Sequence, residues 1–153
     1  MKKLIACFAM ILSAGLMQAQ EALVYEDGQY YNNAGELVKG QYSTYHKNGK
    51  LEATYSLENG ILNGQAVFYY EDGAKQEIGM YRDGEKHGTW MKWNKEGKKT
   101  GEVTYYLGEK DGTWTIWDDN GNKRYEFFYN KGEKVGNWKM WDDSGELVSE
   151  KQY

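Results

Sequence analysis

Glycine recurs on a fixed lattice along this chain. Gly40, Gly64, Gly88, Gly112 and Gly136 stand 24 residues apart. Nine residues after each stands another: Gly49, Gly73, Gly97, Gly121 and Gly145. Twenty residues after the first four stand Gly60, Gly84, Gly108 and Gly132. This lattice takes up 14 of the 19 glycines, too many for chance alignment. Self-similarity at a fixed period of this size means an array in which each repeat is one supersecondary unit.

Aromatic residues follow the lattice. Two residues after the lead glycine stand Tyr42, Ala66, Trp90, Trp114 and Trp138. Five after it stand Tyr45, Tyr69, Trp93, Trp117 and Trp141, and seventeen after it Leu57, Tyr81, Tyr105 and Tyr129. A polar pair precedes the second glycine of each unit, as in Asp119-Asn120-Gly121. That suits a three-residue hairpin loop, a type I turn closed by a left-handed glycine in a G1 bulge. The second strand then covers Leu51–Leu57, Lys75–Tyr81, Lys99–Tyr105 and Lys123–Tyr129. Longer glycine-bounded connections (Glu58–Gly64, Arg82–Gly88, Tyr106–Gly112, Asn130–Gly136) lead to the next unit. The expected fold is all-β, an elongated single-layer antiparallel β-meander of tandem 24-residue hairpin repeats, with units starting at 40, 64, 88, 112 and 136.

The second strands alternate as half-buried strands do. Tyr125, Phe127 and Tyr129 share one face, and Arg124 and Glu126 point the other way. Extending the pairing regularly from a G1-bulge turn puts Tyr45, Tyr69, Trp93, Trp117 and Trp141 on the apolar face with Tyr81, Tyr105, Phe127 and Tyr129. These residues are the expected packed aromatic ladder. Trp90, Trp114 and Trp138 then fall on the opposite face, and they are the candidate partner-binding surface. A ring ladder on a single layer serves either as core, each ring burying about 150–250 Å², or as an exposed apolar contact strip.

The ends differ from the array. Residues 20–39, with Asp27-Gly28 and Gly35, read as a degenerate N-terminal capping hairpin, since terminal repeats are commonly atypical. The second strand of the fifth unit, Glu146–Tyr153, is expected at a sheet edge, where Glu146, Glu150 and Lys151 discourage pairing with another chain. Residues 1–19 run from basic (Lys2, Lys3) through apolar to small, the order of a Sec signal peptide. Its 14-residue apolar stretch would reach about 21 Å as a helix, short of a bilayer core of about 30 Å. Export is therefore expected, to the periplasm, outside the cell or the outer surface. Leu4-Ile5-Ala6-Cys7 spells a lipoprotein-type box, but the apolar run continues beyond Cys7, which argues against anchoring there.

Cys7 is the chain's one cysteine, so residues 20–153 lack disulfides, thiol catalysis and cysteine-ligated metal. Without Lys2 and Lys3 the chain carries 17 Lys and Arg against 23 Asp and Glu. That acidity disfavours nucleic acid and anionic membranes, both of which need clustered basic residues. His46 and His87 occupy unrelated places in the repeat and read as solvated turn residues. Asp118-Asp119-Asn120-Gly121 and Asp142-Asp143-Ser144-Gly145 supply too few oxygens for a calcium loop and are ordinary turn chemistry. No glycine run opens a helix to cradle phosphate. No catalytic residue, metal ligand or cofactor is expected, and the chain is not read as an enzyme.

The string Gly-x-Trp-x-x-Trp-x-x-x-Gly, followed by Tyr and a final Lys/Asn-x-Gly, resembles the bacterial variant of the MORN repeat, whose carriers are often labelled YwqK-like antitoxins. The resemblance covers about residues 40–153. It implies a twisted sheet of successive hairpins and, for most such proteins, a protein-interaction scaffold; lipid binding has also been proposed for some. The export signal departs from a cytoplasmic antitoxin. The functional expectation is an exported, non-catalytic scaffold that binds another exported or envelope protein. The alternatives are a cell-surface carbohydrate-binding module and an antitoxin or immunity-type protein.

Overall fold

The computed structural model describes residues 23–153. The signal-peptide and lipoprotein-box readings, with Cys7, lie outside the described residues. Twelve strands follow one another with no helix among the described residues. β1 (Val24–Glu26) and β2 (Gln29–Tyr31) form a small hairpin of their own. The other ten form one antiparallel meander, each strand bonded to its sequence neighbours. They are β3 (Gly40–Tyr45), β4 (Leu51–Glu58), β5 (Ile61–Tyr69), β6 (Lys75–Arg82), β7 (Glu85–Trp93), β8 (Lys99–Tyr106), β9 (Glu109–Trp117), β10 (Lys123–Asn130), β11 (Glu133–Trp141) and β12 (Leu147–Gln152). The meander of tandem hairpins is the fold that the glycine lattice predicts.

Two kinds of turn alternate along it. Within each unit the loop is the expected three-residue type. The His46 N–H donates to the Lys50 carbonyl at 2.8 Å, and the Gly49 N–H to that of His46 at 2.9 Å, with Gly49 at φ 81°. The same pair of bonds recurs at Tyr70, Asn94, Asp118 and Asp142. Between units, the long connections predicted from sequence are instead two-residue hairpin turns. Glu58 pairs directly with Ile61, and Asn59 and Gly60 between them have φ 49° and 72°. Two successive positive φ values define the type I′ turn, whose twist matches that of the flanking strands. Asp83-Gly84, Leu107-Gly108 and Lys131-Gly132 repeat it. The lead glycines are thus not loop boundaries. Gly88, Gly112 and Gly136 sit inside strands at φ 70°, 62° and 67°, where they bend the ladder.

A second bulge overturns the predicted division of faces. Tyr45 pairs with Leu51, as the turn dictates, but Thr44 pairs with Ala53, so Glu52 is an extra residue. The same slip occurs at Gln76, Thr100, Arg124 and Val148. A one-residue slip moves every later side chain to the other face. Trp114 therefore pairs with Val103 on one side and Phe127 on the other, and Trp90 with Val103. Trp90, Trp114 and Trp138 share the face of Tyr81, Tyr105, Phe127 and Tyr129, not the opposite one. Tyr45, Tyr69, Trp93, Trp117 and Trp141 lie on the other face, with Glu102 and Glu126.

The core is densest toward the first units. Leu23, Val38 and Leu57 form one buried cluster, with Tyr30, Tyr42, Tyr55 and Leu62 around it. The β1–β2 hairpin is held there by backbone bonds from Tyr30 N–H to Gly60 O (2.7 Å) and from Val38 N–H to Tyr30 O (3.2 Å), and the Gly60 N–H donates to Val38 O (2.8 Å). Only glycine fits at 60, since a Cβ would stand 2.7 Å from the Tyr30 carbonyl oxygen. A second cluster joins Ala66, Trp90 and Val103. Burial declines from there, and β12 is exposed throughout.

Candidate functional site: two aromatic faces

Trp90 is fully buried, the largest such side chain described. It lies flat on the backbone of Gly79, where a Cβ would come within 2.1 Å of the ring. Tyr81 meets it edge-on at 5.1 Å between centroids, and Phe68 lies at 6.3 Å. The Lys86 ammonium sits 3.6 Å above the ring and 2.9 Å from a carboxylate oxygen of Glu77. The indole N–H donates to the carbonyl of Met80 at 3.1 Å. That carbonyl lies beside the register shift between Ile78 and Met80. The bulge loosens the ladder, and the indole supplies a donor to this carbonyl.

Each later unit repeats this arrangement. Trp114 Nε1 donates to Thr104 O at 2.8 Å and Trp138 Nε1 to Phe128 O at 3.0 Å. Tyr105 and Tyr129 flank Trp114 at 5.1 and 5.4 Å. Phe127, Tyr129 and Tyr153 surround Trp138 at 4.5–5.2 Å. Lys110 and Lys134 cover Trp114 and Trp138 at 4.7 and 4.4 Å. The three tryptophans read from sequence as a partner surface are therefore the packed ladder, with Trp114 and Trp138 half-buried. Burial raises the phenol pKa of Tyr81 and Tyr105, and the nearby Glu77 carboxylate adds to both shifts.

The opposite face carries the second row. Tyr45 is exposed, and Tyr69, Trp93, Trp117 and Trp141 are half-buried. A lysine from the preceding unit caps each tryptophan: Lys75 over Trp93 at 5.5 Å, Lys99 over Trp117 at 4.6 Å and Lys123 over Trp141 at 4.7 Å. Lys99 and Lys123 are in turn paired with Glu102 and Glu126. Such cation–π contacts contribute roughly 0.5–2 kcal/mol each. Sequence reasoning missed both lysine rows, although Lys75, Lys99 and Lys123, and likewise Lys86, Lys110 and Lys134, are themselves 24 residues apart.

The chain belongs to the MORN repeat variant family. The family model matches residues 39–59, 62–83, 110–131 and 134–153, more than half of the chain. MORN repeats are commonly non-catalytic scaffolds for protein or membrane interaction. The stretch between the second and third matches, holding β7 and β8, keeps the same hairpin and the same Trp90 arrangement. No curated protein matches the chain.

The Asp118 and Asp142 carboxylates of this MORN array are used in its turns. Asp118 accepts the N–H groups of Asn120 and Asn122, both at 2.9 Å, and these bonds, that of Asn122 first, hold its carboxyl below the usual carboxylate range. The Ser144 hydroxyl and then the Glu146 N–H do the same for Asp142. Among the described residues no group of three or more His, Cys, Asp or Glu is placed to hold a metal ion. The histidines are half-buried and not simply solvated, although His46 does close its turn. His46 Nε2 bonds to the Tyr69 carbonyl at 2.9 Å, and the His87 ring packs 5.4 Å from Tyr106 within β7. A groove of about 540 Å³ opens beside Gly101, lined by Tyr105, Trp114, Trp117 and Asp118 among others. It lies where Gly101 leaves a gap between Lys92 and Ile116, its partners on the two adjacent strands.

Proposed function

We propose that the protein is an exported MORN-repeat scaffold whose Trp117-bearing face binds another exported or envelope protein. One observation carries this reading. The tryptophans of that face are half-exposed and recur once in each of the last three units, at every second strand, a step of about 10 Å. They stand beside lysine and glutamate on a face that no other layer covers among the described residues. Partly exposed tryptophans are the residues most enriched among interface anchors. The partner surface thus moves from Trp90, Trp114 and Trp138 to Trp93, Trp117 and Trp141. Export rests on the order of residues 1–19, and the mass of the protein recovered outside the cytoplasm tests it. Retention of Met1–Ala19, or a lipid on Cys7, would count against this form of export.

Capture of partners from an envelope fraction by the wild-type protein and by Trp117→Ala tests the surface. The variant should lose the captured protein while keeping most of its thermal stability. Undiminished capture by a Trp93→Ala/Trp117→Ala/Trp141→Ala variant would defeat the assignment. The groove at Gly101 favours a second reading, a carbohydrate-binding module, because ring, carboxylate and amide groups meet there. Binding of cell-wall glycans that is lost on Gly101→Leu, with protein capture intact, would select it. The finer placement among YwqK-like antitoxins would require a toxin as the captured partner.

A further inference from the structure

We propose that the two open edges of the sheet are complementary, and that the protein adds head to tail to a second copy of itself through β12 and β3. The four joints between units share one register. Thr54 pairs with Val67, Ile78 with Met91, Glu102 with Thr115 and Glu126 with Lys139, each pair 24 residues beyond the last. Carried one step further, Glu150 of β12 meets the position equivalent to Lys139 in a following first strand. In the first unit that position is Ser43, in β3. Among the described residues β12 bonds only to β11, and β3 only to β4.

Among the described residues no strand pairs with the backbone groups needed for the joint, and they are correctly directed. The Tyr153 N–H donates to the Gly136 carbonyl at 2.9 Å, which turns the odd-numbered residues of β12 toward β11. Alternation then points the N–H and C=O of Glu150 and Gln152 outward. By repeat equivalence Ser43 points its own away from β4. Side chains agree with this pairing. Across the later internal joints a tyrosine of the upstream strand packs on the aromatic residue two after the next lead glycine, as Tyr81 does on Trp90, Tyr105 on Trp114 and Tyr129 on Trp138. Tyr153 and Tyr42 hold these two positions at the open edges, and Tyr153 is 42% exposed.

Charge complements the fit. The turn next to β12 carries Asp142, Asp143 and Glu146, and the turn next to β3 carries Lys47 and Lys50. In the internal joints these turns already touch, with Lys50 Nζ 2.8 Å from the Asp72 carbonyl oxygen and Arg124 bonded to Asp143. The charged residues Glu146, Glu150 and Lys151 do not close the edge. β10 holds Lys123, Arg124 and Glu126 and still pairs on both sides. The joint is one strand pair wide, smaller than the roughly 1,200–2,000 Å² of a standard interface. Association should therefore be weak and rise with concentration.

The test uses the full chain in a Cys7→Ser background, which removes its one cysteine. Ser43→Cys and Glu150→Cys are made separately, mixed and mildly oxidised. A hydrogen-bonded antiparallel pair holds its Cα atoms about 5.5 Å apart, within the span a disulfide accepts. The expected result is a disulfide heterodimer of the two variants, and a ladder of oligomers from the chain carrying both. Sedimentation velocity should show average mass rising with protein concentration and falling with added salt. Gln152→Pro, which deletes an outward N–H and no bond to β11, should abolish that rise while leaving the melt in place. A monomer at every concentration, homodimers of one variant alone, or a Gln152→Pro protein that still associates would overturn the proposal.

Discussion

Trp90→Ala should be among the most damaging single truncations in the array. The ring is fully buried. At about 150–250 Å² of burial and roughly 25 cal/mol per Å², removing it forfeits on the order of 4–6 kcal/mol, an upper estimate because the unfolded chain already buries some of this surface. Measured losses for such truncations run to about 3–5 kcal/mol. Two local terms add to the damage. The Met80 carbonyl loses the indole donor, and Lys86 loses the ring 3.6 Å beneath it. Collapse into the void is hindered because the floor is backbone, at Gly79, which has no side chain to swing inward. A total near 4 kcal/mol is a large share of the roughly 5–15 kcal/mol that holds a domain together. Trp117→Ala removes a half-buried ring covered mainly by Lys99 and should cost about 1–2 kcal/mol, in proportion to the smaller area lost. Urea melts of the two variants, followed by far-UV circular dichroism so that neither signal depends on the missing tryptophan, measure the difference. Equal midpoints, or a greater loss for Trp117→Ala, would refute both the face assignment and the second bulge that produces it.

Gly79→Ala should be nearly as disruptive as Trp90→Ala, because its Cβ would overlap the indole, and overpacking of this kind typically costs about 1–3 kcal/mol or more. In a Trp90→Leu background the same change should cost much less, and a double-mutant cycle reads the coupling. Leu107→Asn should raise stability by about 0.5–1 kcal/mol, since Leu107 is held at φ 47° in a type I′ turn that asparagine tolerates far better; a lowered urea midpoint would contradict this. Asp118→Asn with Asp142→Asn should flatten the acid limb of the stability curve. Both carboxyls are depressed in the folded chain, so their contribution is complete above the unfolded value near about 3.9 and is lost as pH falls through the folded values. Asn94 already fills the equivalent place, accepting the Lys98 N–H at 2.9 Å, so the double variant should keep its turns and, at pH 7, melt below wild type only by the contribution of the two charges.

Period and turn chemistry were legible in the sequence because glycine has few reasons to recur. The positive φ of Gly49 and its equivalents follows from a polar pair before glycine, and the within-unit loops are what that pattern demands. The type I′ turns were less visible. Asn59-Gly60 and Asp83-Gly84 are strong signals, but Leu107-Gly108 and Lys131-Gly132 are not, and the lead glycine four residues on looked like the far end of one long loop. That glycine has a different task. Inside the strand it carries a bend that exposes a carbonyl for the indole two residues later.

The division of faces was hidden for a related reason. A strand read by alternation assumes two residues per repeat without interruption, and a single extra residue inverts everything beyond it. The extra positions are Glu52, Gln76, Thr100, Arg124 and Val148, which share no side-chain type and so leave no compositional mark. What could have shown the inversion is size complementarity across the sheet. In the actual register Trp90 stands opposite Gly79, and Gly79 beside Ala66, so that the bulkiest side chain rests over the smallest. In the regular register Trp90 would have shared its face with Glu102, leaving Ala66 and Gly79 without a function. The lysines make the same point. Lys86, Lys110 and Lys134 carry no mark of a role when the chain is read by alternation alone, and only the bulged register puts Trp90, Trp114 and Trp138 beneath them.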